Sequence, residues 1–166
     1  IEEPLSDPRR DLRPEQQVVS DVFIDTNVLL YGVDDADPVK RDRAREWIAA
    51  CWQRRCGRLS TQVLNEYYVN VKKKFSKAIA QGDARAEIRR YQHWRPWVID
   101  HPTIETAWAV ESRFGLHYWD ALMIAAAQQQ GCTLFLSEDL QHEKQIDGVR
   151  IVNPFLAGPE MLDATA

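Results

Sequence analysis

Hydrophobic and polar positions divide the chain into alternating strand-like and helix-like segments. Some segments are nearly continuous runs of β-branched and other apolar residues, which is typical of parallel strands covered on both faces. The longest such strands are VVSDVFID (18–25) and CTLFLS (132–137), and shorter ones are predicted at 59–61, 97–99 and 149–152.

Other segments carry apolar residues at the i, i+3/i+4, i+7 spacing of a helix. Glycine or proline follows most of these segments, and both residues end helices. The helices are predicted at 39–56, 62–80, 84–94, 103–114 and 118–130. Between the first strand and the first helix, VLLYG (28–32) is expected to be an apolar turn. The alternation of strands and helices predicts an α/β fold with a central, mostly parallel sheet.

The length of 166 residues suits one domain. We place that domain at 20–155, between a mobile N-terminal extension, 1–19, and a C-terminal tail, 156–166. The extension is charged and has no apolar core, so we do not expect a signal peptide. No apolar stretch is long enough to cross a membrane. Three cysteines without zinc-ligand spacing are typical of a reducing compartment, so we expect a cytoplasmic protein.

The net charge of −4 conceals a strong asymmetry along the chain. Residues 40–95 contain fifteen Lys and Arg but only five Asp and Glu, a local charge of +10, which leaves −14 on the remainder. The same stretch contains aromatic residues, which are either core residues or contacts for a ligand. Such a basic segment beside an acidic remainder favours a surface that binds a polyanion, and nucleic acid is the candidate.

Four acidic positions are candidates for chemistry. Asp25 and the pair Glu138-Asp139 follow predicted strands, at the sheet edge where α/β proteins bind ligands. Glu66 and Asp120 lie in otherwise apolar helical surroundings. Each alone is explained as a helix cap or an exposed acid. Together they predict a cluster that a divalent cation would stabilise, and oxygen ligands alone favour Mg²⁺ or Mn²⁺. Such an ion promotes hydrolysis of phosphodiesters.

Four motifs resemble the PIN-domain nucleases, and in particular the VapC-like ribonucleases of type II toxin–antitoxin pairs. They are DTNVLLY (25–31), LNEYY (64–68), YWDALMIAAA (118–127) and LFLSEDL (134–140). The first and third are the specific ones. The resemblance covers roughly residues 20–153 and implies a three-layer fold, with helices on both faces of the sheet.

The resemblance also implies roles for individual residues. The family's acidic quartet, which binds Mg²⁺ or Mn²⁺, corresponds to Asp25, Glu66, Asp120 and Asp139. The motifs also contain possible supporting residues. Thr26 would support the metal-bound water or orient the first acid. Asn27 would fix the turn and the carboxylates nearby, and Ser137 occupies a small polar position before the last acids. Glu138 is the alternative to Asp139 as the fourth ligand.

The function implied is a metal-dependent endoribonuclease that serves as a toxin. Its implied partners are an RNA substrate, an antitoxin that covers the site, and a second copy in a homodimer. Two alternatives remain open on the residues alone. One is a housekeeping RNA-processing nuclease with the same chemistry, and the other is a non-catalytic PIN-like module that binds RNA or protein.

Overall fold

A computed structural model describes residues 20–75 and 81–163. The predicted N-terminal extension, 1–19, lies outside the described residues. So do 76–80 at the end of the second predicted helix, and 164–166.

The sheet contains five short strands in the order β2-β1-β3-β5-β4. All neighbouring pairs are parallel except β4 with β5. The central strands β1 and β3 are fully buried, as expected of strands covered on both faces. The five strands are β1 (Val22–Ile24), β2 (Gly57–Arg58), β3 (Leu134–Leu136), β4 (Gln145–Ile146) and β5 (Val149–Val152). This arrangement confirms the predicted α/β fold with a mostly parallel central sheet flanked by helices.

Six α-helices accompany the sheet in the described parts of the chain. Several begin where the sequence provides an N-cap: Asp37 accepts from the amide of Lys40, Ser60 from Val63, and Asp100 from Thr103. The helices are α1 (Thr26–Tyr31), α2 (Pro38–Arg54), α3 (Thr61–Lys74), α4 (Gln81–Arg90), α5 (His101–Phe114) and α6 (Tyr118–Gln129). A 3₁₀ helix, Tyr91–Trp94, continues from α4.

The main correction concerns the segment after β1. The predicted turn VLLYG lies mostly within α1, because Asp25 caps a helical turn by accepting from the amide of Asn27. A single helix of six residues is too short for hydrophobic periodicity to reveal it.

The short strands also differ from the prediction. The strand predicted at 59–61 lies instead at β2, and the one at 97–99 is reduced to a single parallel bridge between Ser60 and Trp97. Pro96 precedes this bridge and has no N–H to donate to a ladder. The sequence did not predict β4.

The predicted C-terminal tail packs against α2 in its described residues. Its residues form a 3₁₀ helix, Pro159–Asp163, in which Leu162 is buried. The buried indole of Trp47 donates to the carbonyls of Pro154 and Ala157. These contacts make the end of the chain part of the packed domain up to residue 163.

Candidate active site

The carboxyl ends of β1 and β3 bring Asp25 and Ser137 together. The two strands are paired in parallel, and the amide of Asp25 donates to the Leu136 carbonyl at 3.0 Å. The Ser137 hydroxyl donates to Asp25 Oδ2 at 2.8 Å, and both residues are buried. A residue that the sequence marked only as small and polar is therefore a direct partner of the first acid.

Asn27 connects the first and last acids. Its Nδ2 donates to Asp139 Oδ2 at 2.7 Å and to Asp25 Oδ2 at 3.5 Å, while its backbone amide donates to Asp25 Oδ1 at 3.4 Å. The backbone amide of Asp139 in turn donates to the hydroxyl of Ser137 at 3.2 Å. Asp139 is thus held at both its backbone and its side chain, beside Asp25.

Glu66 reaches this edge from α3, and both of its oxygens accept hydrogen bonds. The hydroxyl of Thr26 donates to Oε2 at 2.7 Å, and the amide of Gln62 donates to Oε1 at 2.9 Å. Gln62 was not identified from the sequence as a site residue, although it precedes Glu66 by one helical turn and therefore lies on the same face of α3. Thr26 thus contacts the second acid, whereas the resemblance implied that it would support the metal-bound water or orient the first acid.

Asp120 lies in the first turn of α6 and is half-buried. Burial raises the pKa of its carboxyl, and the negative charges of Asp139 and Glu66 raise it further, while His117 acts in the opposite direction. Its position at a helix N-terminus favours the charged form. Asp120 therefore interacts electrostatically with Asp139 and Glu66, although it makes no hydrogen bond to either of them.

Burial raises the pKa of Asp25 to about 7. Hydrogen bonds from Ser137 and Asn27 act to lower this pKa, and the charges of Asp120 and Asp139 act to raise it. A bound cation would remove the cost of ionising this buried carboxyl. The environment of Asp25 therefore favours cation binding.

Glu138 pairs with residues other than the four acids. Its carboxylate accepts from the Lys40 ammonium at the start of α2 and from the Tyr31 hydroxyl. Burial acts to raise the pKa of Glu138, but these two partners hold it below its ordinary value. The same ammonium lies 5.0 Å from the ring centroids of Tyr31 and Phe155. Neither Lys40 nor Tyr31 was anticipated as a neighbour of the site.

The donor set fits a hard divalent cation. The four acids offer oxygen atoms only, which suit Mg²⁺ and Mn²⁺. Asn27 Oδ1 is also buried and has no hydrogen-bond partner among the described residues. Within residues 20–75 and 81–163, no three His, Cys, Asp or Glu side chains form a ready-made metal cage. The acidic side chains lie at one edge of the sheet and several are held by hydrogen bonds. In the described parts of the chain, however, they do not converge on a single point as metal ligands would.

The aromatic residues of the basic stretch are largely core. Trp47, Tyr67, Tyr91 and Trp94 are buried, and Trp52 stacks on Tyr91 with ring centroids 5.5 Å apart. Most of these rings are therefore unavailable as contacts for a nucleic acid. The charges of the stretch remain on the surface, as in the exposed run Lys72–Lys74 at the end of α3.

The fold and site define an α/β domain that gathers acidic residues at the carboxyl edge of a parallel sheet. The chain belongs to the PIN domain family, whose model matches residues 22–146. No curated protein matches the chain in sequence.

Solved structures of VapC toxins and VapBC complexes share the fold. The VapC20 toxin of Mycobacterium tuberculosis, described as cleaving the sarcin–ricin loop, is 19% identical with a TM-score of 0.54, over 69% of this chain and 86% of that one. The DNA-bound VapBC of Salmonella typhimurium is 16% identical with a TM-score of 0.54, over 80% and 96%. VapBC2 of Rickettsia felis, bound to a promoter DNA fragment, is 11% identical with a TM-score of 0.52, over 78% and 96%.

The family model and the shared fold confirm the PIN domain that the motifs suggested. Across the described parts of the chain, the helices are all too short or too polar to span a bilayer.

Proposed function

We propose that this protein is a metal-dependent endoribonuclease that hydrolyses RNA phosphodiester bonds as the toxin of a toxin–antitoxin pair. The observation that carries the proposal is the hydrogen-bonded arrangement of the acids. Asp25 and Asp139 share the amide of Asn27, and Glu66 is fixed by Thr26 and Gln62. Acids held this close together are costly to ionise without a cation, so the arrangement favours a metal-dependent activity over a structural role.

The metal would be held by Asp25, Glu66, Asp120 and Asp139. When bound, Mg²⁺ or Mn²⁺ lowers the pKa of water and neutralises phosphate charge. Ser137 and Asn27 orient Asp25, and Thr26 and Gln62 orient Glu66. These neighbours hold the carboxylates in place before the substrate arrives, which reduces the reorganisation that binding would require.

RNA is the proposed substrate because α3, the helix that carries Glu66, ends in exposed basic residues. Lys72–Lys74 at the end of α3 are exposed, and Arg89 and Arg90 end the neighbouring α4. Exposed Lys and Arg side chains bind phosphates independently of nucleotide sequence. A surface of this kind would hold the strand while the acids act on one phosphodiester.

The structural relatives support an antitoxin as a partner. Two of them are complexes of a VapC toxin with its antitoxin on DNA. We propose that an antitoxin covers the acidic edge of this chain as well, that the active form is a homodimer, and that it acts on RNA in the cytoplasm.

End-mapping of cellular RNA after induction of the wild-type protein and the Asp25→Asn variant tests the function. We expect discrete cleavage with the wild type alone, leaving 5′-phosphate and 3′-hydroxyl ends, because a water activated by the metal would attack the phosphate in place of the 2′-hydroxyl. Ends with 2′,3′-cyclic phosphate would contradict the proposed mechanism. Identical profiles, combined with failure to bind Mn²⁺, would favour a non-catalytic binding module instead.

The role as a toxin has a separate test. Co-purification with the product of a small adjacent gene, and suppression of cleavage by that product, is the expected result. Cleavage without any such partner would favour a housekeeping RNA-processing nuclease.

A further inference from the structure

An open pocket of about 510 Å³ lies directly beside the acidic site. Glu66 forms part of its wall, together with Gln62 and Asn65 of the same helix. Trp119 and Leu122 of α6 contribute the other wall. Its volume lies in the range of pockets that bind small organic groups, about 300–1,000 Å³. Any ligand in this pocket would lie next to the carboxylates that are proposed to act on phosphate.

Trp119 supplies the aromatic ring of this pocket wall. It immediately precedes Asp120, and its side chain remains 55% exposed. An exposed aromatic ring offers a flat apolar face to a ligand that enters the pocket. Single-stranded nucleic acids are bound in this way, because unpaired bases stack on aromatic side chains.

Gln62 supplies a second, independent observation. The residue is nine-tenths buried, and its Nε2 donates to Glu66 Oε1 at 2.9 Å and to the Trp119 carbonyl at 3.0 Å. Both partners are acceptors, so the hydrogen-bond network assigns the amide orientation. Its Oε1 is left buried with no hydrogen-bond partner in the described parts of the chain. An unpaired acceptor of this kind is costly, and a donor from a ligand would satisfy it.

Asn65 points to the same ligand chemistry. It is exposed, and its Nδ2 donates to the Thr61 carbonyl at 2.9 Å. The amide oxygen and the second N–H of the amide therefore remain available to a ligand. Two amide oxygens and one indole ring suit a flat ring that carries N–H donors on its edge.

We propose that this pocket binds one unpaired nucleobase of the RNA strand beside the scissile phosphate, with Trp119 as its stacking surface. The base would carry an exocyclic amino group, which adenine, cytosine and guanine have and uracil lacks. This inference rests on the proposed function, since it assigns a specificity pocket to that same site. Trp119 acts here on substrate binding and on the choice of cleavage position.

A pool of random-sequence single-stranded RNA, cleaved by the full chain with Mn²⁺ and sequenced at the new ends, tests the pocket. We expect the wild type to disfavour uracil at one position beside the cut. Trp119→Ala should flatten that preference and raise KM by about fivefold to a hundredfold with a smaller change in kcat, since a stacked base contributes ~1–3 kcal/mol and tenfold is ~1.4 kcal/mol. Trp119→Phe should retain the preference. Asn65→Ala should weaken it.

Trp108→Ala is the matched control. Trp108 is 47% exposed on α5 and does not line the pocket. We expect its variant to cleave as the wild type does. If Trp119→Ala cleaves with the wild-type KM and base preference, the proposal is wrong. If Trp119→Ala instead converts a dimer into a monomer in size-exclusion chromatography, Trp119 belongs to an interface between copies, and the proposal is likewise overturned.

A binding measurement separates this inference from the proposed activity. The Asp25→Asn protein is titrated with five-residue RNAs of cytosine or of uracil, and Trp119 fluorescence is isolated by subtraction of the Trp119→Phe signal. We expect quenching and tighter binding with cytosine, because the two pyrimidines differ in the amino group. Quenching without wild-type cleavage would reject the nuclease and retain the pocket. Cleavage without quenching would reject the pocket alone.

Discussion

The side-chain amide of Asn27 donates to the carboxylate of Asp139 at 2.7 Å, across 112 residues of sequence. This contact joins the N-terminal turn of α1 to the loop after β3. It also brings the last acid next to Asp25, whose carboxylate accepts from the same amide group. Asn27 is therefore the residue that connects two strand ends into one site.

Replacement of Asn27 by Ala should reduce activity without unfolding the protein. Asp139 would lose its side-chain anchor and would have to be oriented by the metal alone. Loss of such an outer partner typically costs about 10–100-fold in metal affinity or activity. We expect that range in Mn²⁺ affinity by calorimetry and in kcat/KM, with little change in thermal unfolding. Wild-type Mn²⁺ affinity in the variant would show that the amide has no orienting role.

Thr26 provides a similar test at Glu66. Thr26→Val keeps the shape of the buried side chain but removes the hydroxyl that donates to Glu66 Oε2. We expect about a tenfold or greater loss of kcat/KM. Thr26→Ser is the matched control, because it retains the hydroxyl, and it should stay close to the wild type. Equal losses in both variants would attribute the effect to packing instead.

The pKa of Asp25 predicts how stability depends on pH in the absence of metal. Burial raises this pKa from 3.8 to about 7, so the folded state holds a proton more tightly than the unfolded state. The stabilising contribution is complete below about pH 4 and is lost as pH rises through about 7. A shift of this size corresponds to at most about 4 kcal/mol.

Urea unfolding of the metal-free protein between pH 4 and pH 8 checks this expectation. The wild type should lose stability over that interval. Asp25→Asn should lose less, because the variant no longer titrates at this position while Asn can still accept from Ser137. Saturating Mn²⁺ should restore the wild type at high pH. Parallel pH profiles for the two proteins would contradict the raised pKa.

The sequence predicted the parts of the site that depend on topology. Asp25 and Asp139 follow apolar strands, and parallel strands bring their carboxyl ends to one edge. Glu66 and Asp120 could be proposed because each interrupts an apolar helical surface. Such inferences require only the direction of the chain and the period of each element.

The contacts that orient those acids could not be predicted in the same way. Lys40 and Glu138 are 98 residues apart and meet only because α2 begins close to the end of β3. Gln62 is an ordinary polar residue until α6 brings the Trp119 carbonyl against it. Pairings of this kind depend on how elements pack together, which local patterns do not specify.

The choice between Glu138 and Asp139 as fourth ligand is open to a direct comparison. Glu138 is paired with Lys40 and Tyr31, whereas Asp139 is joined to the other acids through Asn27. We expect Asp139→Asn to reduce kcat/KM by about a hundredfold or more, as loss of a ligand should exceed loss of an outer partner. Glu138→Gln, the matched control, should cost less than about tenfold. The reverse order would assign the ligand to Glu138.

The basic surface on α3 predicts a salt dependence of RNA binding. Lys72, Lys73 and Lys74 are exposed, and each phosphate neutralised on a single strand contributes ~0.7 to the slope of log affinity against log salt. Replacing all three by Gln should lower that slope by up to ~2, measured with the Asp25→Asn protein so that the RNA stays intact. Arg113→Gln on α5, where the guanidinium pairs with Asp147, is the control and should leave the slope unchanged. An unchanged slope in the triple variant would place the RNA on another face, because counterions are released only where phosphates and cations meet.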